Sequence, residues 1–193
     1  MDAKKYIDYW HELRSGAAVP QRADFNPMHM KKLLPFMLVL ECCEQGKLQK
    51  RLSGSFLDSF LNIHGSNQSQ VINWPLSLKQ HAAWKNLLTT LLTSKIAGVT
   101  FEANVMIKNT FFDTLSGAFL PFHCENKNVQ LIGGIWPNEP NTRLYLNTPL
   151  KTLHFIETKI SIIPTPDGVS RRDIRLETFE YFKMRDELIA LAS

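Results

Sequence analysis

The sequence predicts an α+β domain built on a five-stranded antiparallel sheet. Three observations carry that class: two short apolar runs flanking a glycine turn at residues 36–53, a wide helical stripe within 77–97, and three consecutive strand-like runs at 99–136. Residues 36–137 form the predicted core, 1–35 an N-terminal helical cap, and 138–193 a C-terminal extension ending in a helix.

In the cap, Tyr6, Trp10 and Leu13 recur at i, i+4 and i+7, which predicts a helix with one aromatic face that needs a partner. Gly16 stands where such a helix ends. Asn26 followed by Pro27 signals a second, short helix, with Phe25 and Met30 placed as a hydrophobic staple and Pro35 as its stop. Residues 36–43 are apolar on both faces for most of their length, so they read as a central strand. After the turn around Gly46, residues 48–53 alternate as a half-solvated strand, with Leu48, Lys50 and Leu52 on one face. Ser55 and Asp58 have capping-box spacing and open a short helix bearing Phe56, Phe60 and Ile63.

Trp84, Leu87, Leu88, Leu91 and Leu92 trace the stripe of the longest core helix, ending near Gly98. Period-two alternation at 99–107 then gives a third strand, and 114–124 and 129–136 give two more around a polar turn. Pro121 cannot donate to a ladder, which predicts a bulge or an unpaired position. Past the proline-rich 137–141, residues 158–163 read as an extra strand and 173–192 as a helix, with Ile174, Tyr181 and Leu188 at seven-residue spacing.

Composition narrows the function classes. Of the residues, 44% are hydrophobic and 21% charged, as in an ordinary globular protein. A net charge of +4 from scattered basic residues does not indicate a nucleic-acid partner. No apolar run has signal-peptide or membrane-spanning character, and three cysteines, two of them adjacent, do not form a secreted disulfide framework. The expectation is a cytoplasmic chain without membrane insertion.

The positions Tyr9-Trp10, Leu13-Arg14, Gly16, Pro20, Arg22, Asp24, Pro27, Leu33-Leu34-Pro35, Leu40-Glu41, Arg51-Leu52, Gly54 and Leu120-Pro121, in this order and spacing, resemble a bacterial PAS family often found as stand-alone proteins. The resemblance covers residues 6–136. It implies a PAS-like sheet in spatial order 2-1-5-4-3, helices over one face, and a contact site for a small molecule or a protein between sheet and helices. It also implies sensing or dimerisation rather than catalysis. No cofactor is specified. Some haem-binding members place an axial histidine near the position of His64, for which a surface histidine is the simpler account. The cysteine motif of flavin-binding light sensors is missing from the sequence.

Other chemistry has weaker support. Cys42, Cys43, Cys124 and His123 could be drawn as a zinc set, yet adjacent strand residues point to opposite faces. Ser116, His123 and Asp113 could be drawn as a hydrolytic triad, without a nucleophile elbow. What remains is an aromatic and aliphatic set, Phe56, Phe60, Trp84, Leu88, Phe101, Phe119, Phe122 and Trp136, as candidate lining of an apolar ligand pocket. Tyr6, Trp10 and Leu13, with Ile174, Tyr181 and Leu188, are candidate interface residues of a homodimer or a signalling partner. The expected function is a non-enzymatic sensor that binds an apolar ligand or a protein and signals through its terminal helices. A ligand-free dimerisation or interaction adaptor is the alternative.

Overall fold

The computed structural model describes residues 3–17, 19–42, 48–60, 86–89, 92, 97–107, 110–125, 128–137, 153–164 and 172–176. Helix α1 spans Ala3–Leu13, and three 3-10 turns follow at Arg22–Asp24, Pro27–Met30 and Leu34–Phe36. Strands β1 (Met37–Cys42) and β2 (Leu48–Ser53) precede α2 (Ser55–Phe60); β3 (Ala97–Ile107), β4 (Thr110–His123) and β5 (Val129–Pro137) come next, then β6 (Leu153–Pro164) and β7 (Arg172–Leu176).

The seven strands pair antiparallel with their neighbours, in the order β2-β1-β5-β4-β3-β6-β7. The first five strands have the order 2-1-5-4-3 expected for the core. The C-terminal extension lengthens the same sheet: β6 pairs along β3 from Ala97↔Pro164 to Ile107↔Leu153. Residues 173–176, expected to begin a helix, instead form β7, where Ile174 lies opposite Ile160. The expected helix beyond them, with Tyr181 and Leu188, lies outside the described residues.

Directly opposed residues share a face, so the registers sort the side chains of the core sheet. Leu38, Leu40, Leu131, Gly133, Phe119, Gly117 and Phe101 fall on one face. Val39, Ile132, Gly134, Trp136, Ser116, Leu120 and Phe122 fall on the other. Helix α2 lies over the first, or inner, face: Lys50 and Ser53, opposite Leu40 and Leu38, both reach Asp58. Lys50 Nζ donates to Ser53 Oγ at 3.0 Å and to Asp58 Oδ1 at 3.3 Å, and Ser53 donates to the same carboxylate. The Asp58 carboxylate, expected in a capping box, thus ties α2 to the edge strand, while its backbone N–H donates to the Gly54 carbonyl at 3.0 Å.

A register shift between Val39 and Leu40 pairs Leu40 with Lys50 but Val39 with Leu52, so Arg51 is the extra residue of a bulge. This moves Leu52 off the face of Leu48 and leaves it 64% exposed, although strict alternation had placed both on one face. Arg51, at the bulge, meets Glu41 Oε1 through its Nε at 2.5 Å. Leu52→Lys is accordingly expected to change the unfolding free energy by no more than about 0.5 kcal/mol in urea titration. A loss of a buried leucine's magnitude, about 2 kcal/mol or more, would contradict the bulge.

Pro121 needs no bulge. It pairs in continuous register with Leu131, while the β3–β4 ladder ends at Val99↔Phe119. The edge of β4 beyond that point is taken over by the N-terminal segment: the Pro121 carbonyl accepts from Trp10 Nε1 at 2.9 Å, and His123 N–H donates to Pro20 O at 2.9 Å. The proline's missing donor therefore falls where no ladder partner requires it.

Candidate functional site

The inner face of the sheet is an apolar shelf made level by glycine. Phe101 lies opposite Gly117 and Phe119 opposite Gly133, and the two rings stack with centroids 6.4 Å apart and planes at 14°. A Cβ on Gly117 would run into the Phe101 ring, and one on Gly133 into the Ala118 carbonyl and Phe119. Val99, Leu115, Leu131 and Ile135 continue this face, and all are buried. Phe56 and Leu57 of α2, with Phe56 tilted against Phe36 at 4.7 Å, and Leu87, Leu88 and Leu92 belong to the same buried core cluster. Asp113, 5% exposed, is a polar residue at one end of this face, where its Oδ1 accepts from Thr114 N–H at 2.7 Å. Such a surface can hold an apolar or aromatic body, and among the described residues it brings together no array of groups for acid–base chemistry.

The outer face is covered by the N-terminal cap. Phe122 meets Phe25 edge-on at 5.4 Å, and Phe25 in turn meets Tyr9 at 6.0 Å. Tyr9 Oη accepts from Asn26 N–H at 3.0 Å, and Asn26 Oδ1 accepts from Met28 N–H at 3.0 Å, the N-cap expected from Asn26-Pro27. Tyr6 donates its hydroxyl to Ile132 O at 2.7 Å. Burial holds that phenol protonated, its pKa well above the usual value. Tyr6 and Trp10 are both 0% exposed within their own chain. Their expected role as an exposed interface is therefore corrected: α1 spends its aromatic face on its own sheet. Leu13 is half-buried and packs against the same core.

The candidate pocket set divides. Phe101 and Phe119 come together on the inner face, and Phe56 and Leu88 belong to the buried core. Phe122 and Trp136 sit on the outer face and cannot line a slot with Phe119, because residues an odd number apart on a strand point oppositely. The side chain of Phe60, and Trp84 and His64 altogether, lie outside the described residues. Trp136 is 1% exposed, and its indole N–H meets no acceptor among the described residues. Sequence reasoning overlooked His11 and Arg14 beside Trp10, and also Gly117, whose alignment with Phe101 needs the register.

The drawn triad does not form. Asp113, Ser116 and His123 share β4, with Ser116 on the outer face, and at about 3.3 Å per residue Asp113 and His123 are roughly 30 Å apart. Among the described residues no three His, Cys, Asp or Glu side chains gather as a metal site. The Cys124 thiol is pushed up by partial burial and by Glu41, opposite to the low pKa of a reactive thiolate. Also among the described residues, no helix is long and apolar enough to cross a membrane.

A five-stranded core in the order 2-1-5-4-3, with an apolar inner face and a capped outer face, is the arrangement of a sensory or regulatory module. The chain belongs to the PAS-domain family, whose model matches residues 1–135. No curated protein and no solved structure matches the sequence.

Proposed function

We propose that this PAS-family module holds a small apolar or amphipathic ligand, or the apolar surface of a protein partner, on the shelf of Phe101 and Phe119, and reports through α1. One observation supports this reading above the others. Strands β4 and β5 present Phe119 and Leu131 to the inner face while their carbonyls at Pro121 and Ile132 hold Trp10 and Tyr6 of the cap. A shift of these strands under an occupant would act directly on the anchors of α1.

The homodimer expectation loses its N-terminal support, because the aromatic face of α1 is already buried. A dimer through the chain beyond Leu176 stays part of the proposal. A fully packed adaptor that only binds proteins is the second reading, and the continuous buried core favours it. Native mass spectrometry of freshly purified protein separates the two. Retained mass that falls by about tenfold in Phe119→Leu, a change that keeps the core apolar, supports a ligand sensor. A bare chain in both proteins overturns the ligand reading and leaves the adaptor.

A further inference from the structure

The end of α1 is built around a cluster that the sensing role does not use. Arg14 is 7% exposed, an unusual position for a guanidinium. It lies over the Trp10 ring at 5.0 Å, donates from Nε to Ala17 O at 2.9 Å, and sits 3.2 Å from His11 Nδ1 through Nη1. The His11 ring meets Trp10 edge-on at 5.1 Å. Immediately after Arg14 the backbone turns through the left-handed region, with Ser15 at φ 44° and Gly16 at φ 89°. Arg14 thus spans the turn by which α1 joins the rest of the chain.

A guanidinium has only donors, so the Arg14–His11 contact requires an unprotonated Nδ1 on His11. We propose that His11 is a proton-sensitive clasp: when neutral it accepts from Arg14 and steadies the Trp10 anchor, and when protonated it repels Arg14 and loosens the end of α1. The charged groups acting on His11 are Arg14 and Asp8, both from α1 and its closing turn. Asp8 favours the imidazolium but is itself paired with Lys4 at 2.5 Å. From the 3-10 turns packed against α1, His29 faces Tyr9 at 5.2 Å, and Arg22 lies over Phe25 at 5.4 Å. Neither of these groups bears on His11 directly.

His11 is an exposed residue, and the partial desolvation by its neighbours together with the Arg14 charge holds its pKa below the ordinary value of about 6.5. The folded state therefore favours the neutral ring. Its contribution to stability is complete above about pH 6.5 and is lost as pH falls from there through the lower folded value.

The clasp rests on the reading of α1 as the output element, but its test needs no ligand. NMR titration of the ligand-free chain from about pH 8 to about pH 5 follows the His11 ring and the Trp10 indole N–H together. The expected result is one shared midpoint below about 6.5, and a melting temperature that drops further in wild type than in His11→Gln. His29→Gln should keep the wild-type response. A Trp10 resonance that stays fixed while His11 titrates, parallel melting curves for wild type and His11→Gln, or a response abolished by His29→Gln would each overturn the clasp. Those outcomes leave ligand retention untouched, and a bare chain in mass spectrometry leaves the clasp untouched.

Discussion

Trp10→Ala is expected to lower the unfolding free energy by about 3–5 kcal/mol, a large share of the roughly 5–15 kcal/mol available to a domain. Three losses combine. The ring is fully buried, so truncation opens a cavity between α1 and the sheet. The Pro121 carbonyl loses its indole donor at an edge of β4 that β3 has already left. Arg14 loses the face on which its guanidinium rests. Trp10→Phe keeps most of the ring and removes the N–H, so its expected cost is about 1–2 kcal/mol.

Urea titration of both variants at several protein concentrations is the measurement. Because Trp10 is buried within one chain, the loss should not depend on concentration, whereas an interface tryptophan would give a midpoint that moves with it. If α1 opens as a separate unit, Trp10→Ala should show an early transition confined to the cap, visible as fast hydrogen exchange in α1 alone. A loss below about 1 kcal/mol would mean that the cap is not held by this residue.

These contrasts show which parts of the fold were legible. Strand β2 has the predicted bounds because Leu48–Ser53 lies between a glycine turn and Gly54, strong local punctuation. The number of core strands followed from counting such runs, whereas their spatial order came from the family resemblance. The bulge at Arg51 was not legible, since an inserted residue changes the face of Leu52 without changing composition. In β7 the alternation Asp173, Ile174, Arg175, Leu176 was present, but the seven-residue spacing from Ile174 to Tyr181 and Leu188 outweighed it.

The candidate site followed the same division. That Phe119 and Phe122 occupy opposite faces is plain from their spacing once 110–123 is one strand, and grouping them by residue type concealed it. The aromatic face of Tyr6 and Trp10 was correctly seen as needing burial, but its partner could not be read. The bond from Trp10 to Pro121 joins residues 111 apart, and a side-chain donor meeting a strand carbonyl leaves no pattern in either segment.

Gly133→Val is the substitution for which the strongest effect on the shelf is expected, about 3 kcal/mol or more of destabilisation. Gly133 lies in β5 between β1 and β4, opposite Leu38 on one side and Phe119 on the other. A Cβ there would meet the Ala118 carbonyl and, at 2.7 Å, both the Phe119 Cα and its ring. Backbone atoms in a paired strand cannot swing aside as a side-chain end can, so relief requires β4 and β5 to separate locally. That separation would disturb the Phe119 stack and the Ile132 and Pro121 carbonyls that hold Tyr6 and Trp10. Gly117→Ala presses first on the Phe101 ring, yet its Cβ would also lie 2.7 Å from the Gly134 carbonyl, so a smaller cost of about 1–3 kcal/mol is expected. Denaturation combined with the Trp10 indole resonance reads both consequences. A stable Gly133→Val protein with an unshifted Trp10 signal would show that the inner shelf and the cap are mechanically independent, and would remove the route by which an occupant of the shelf is proposed to reach α1.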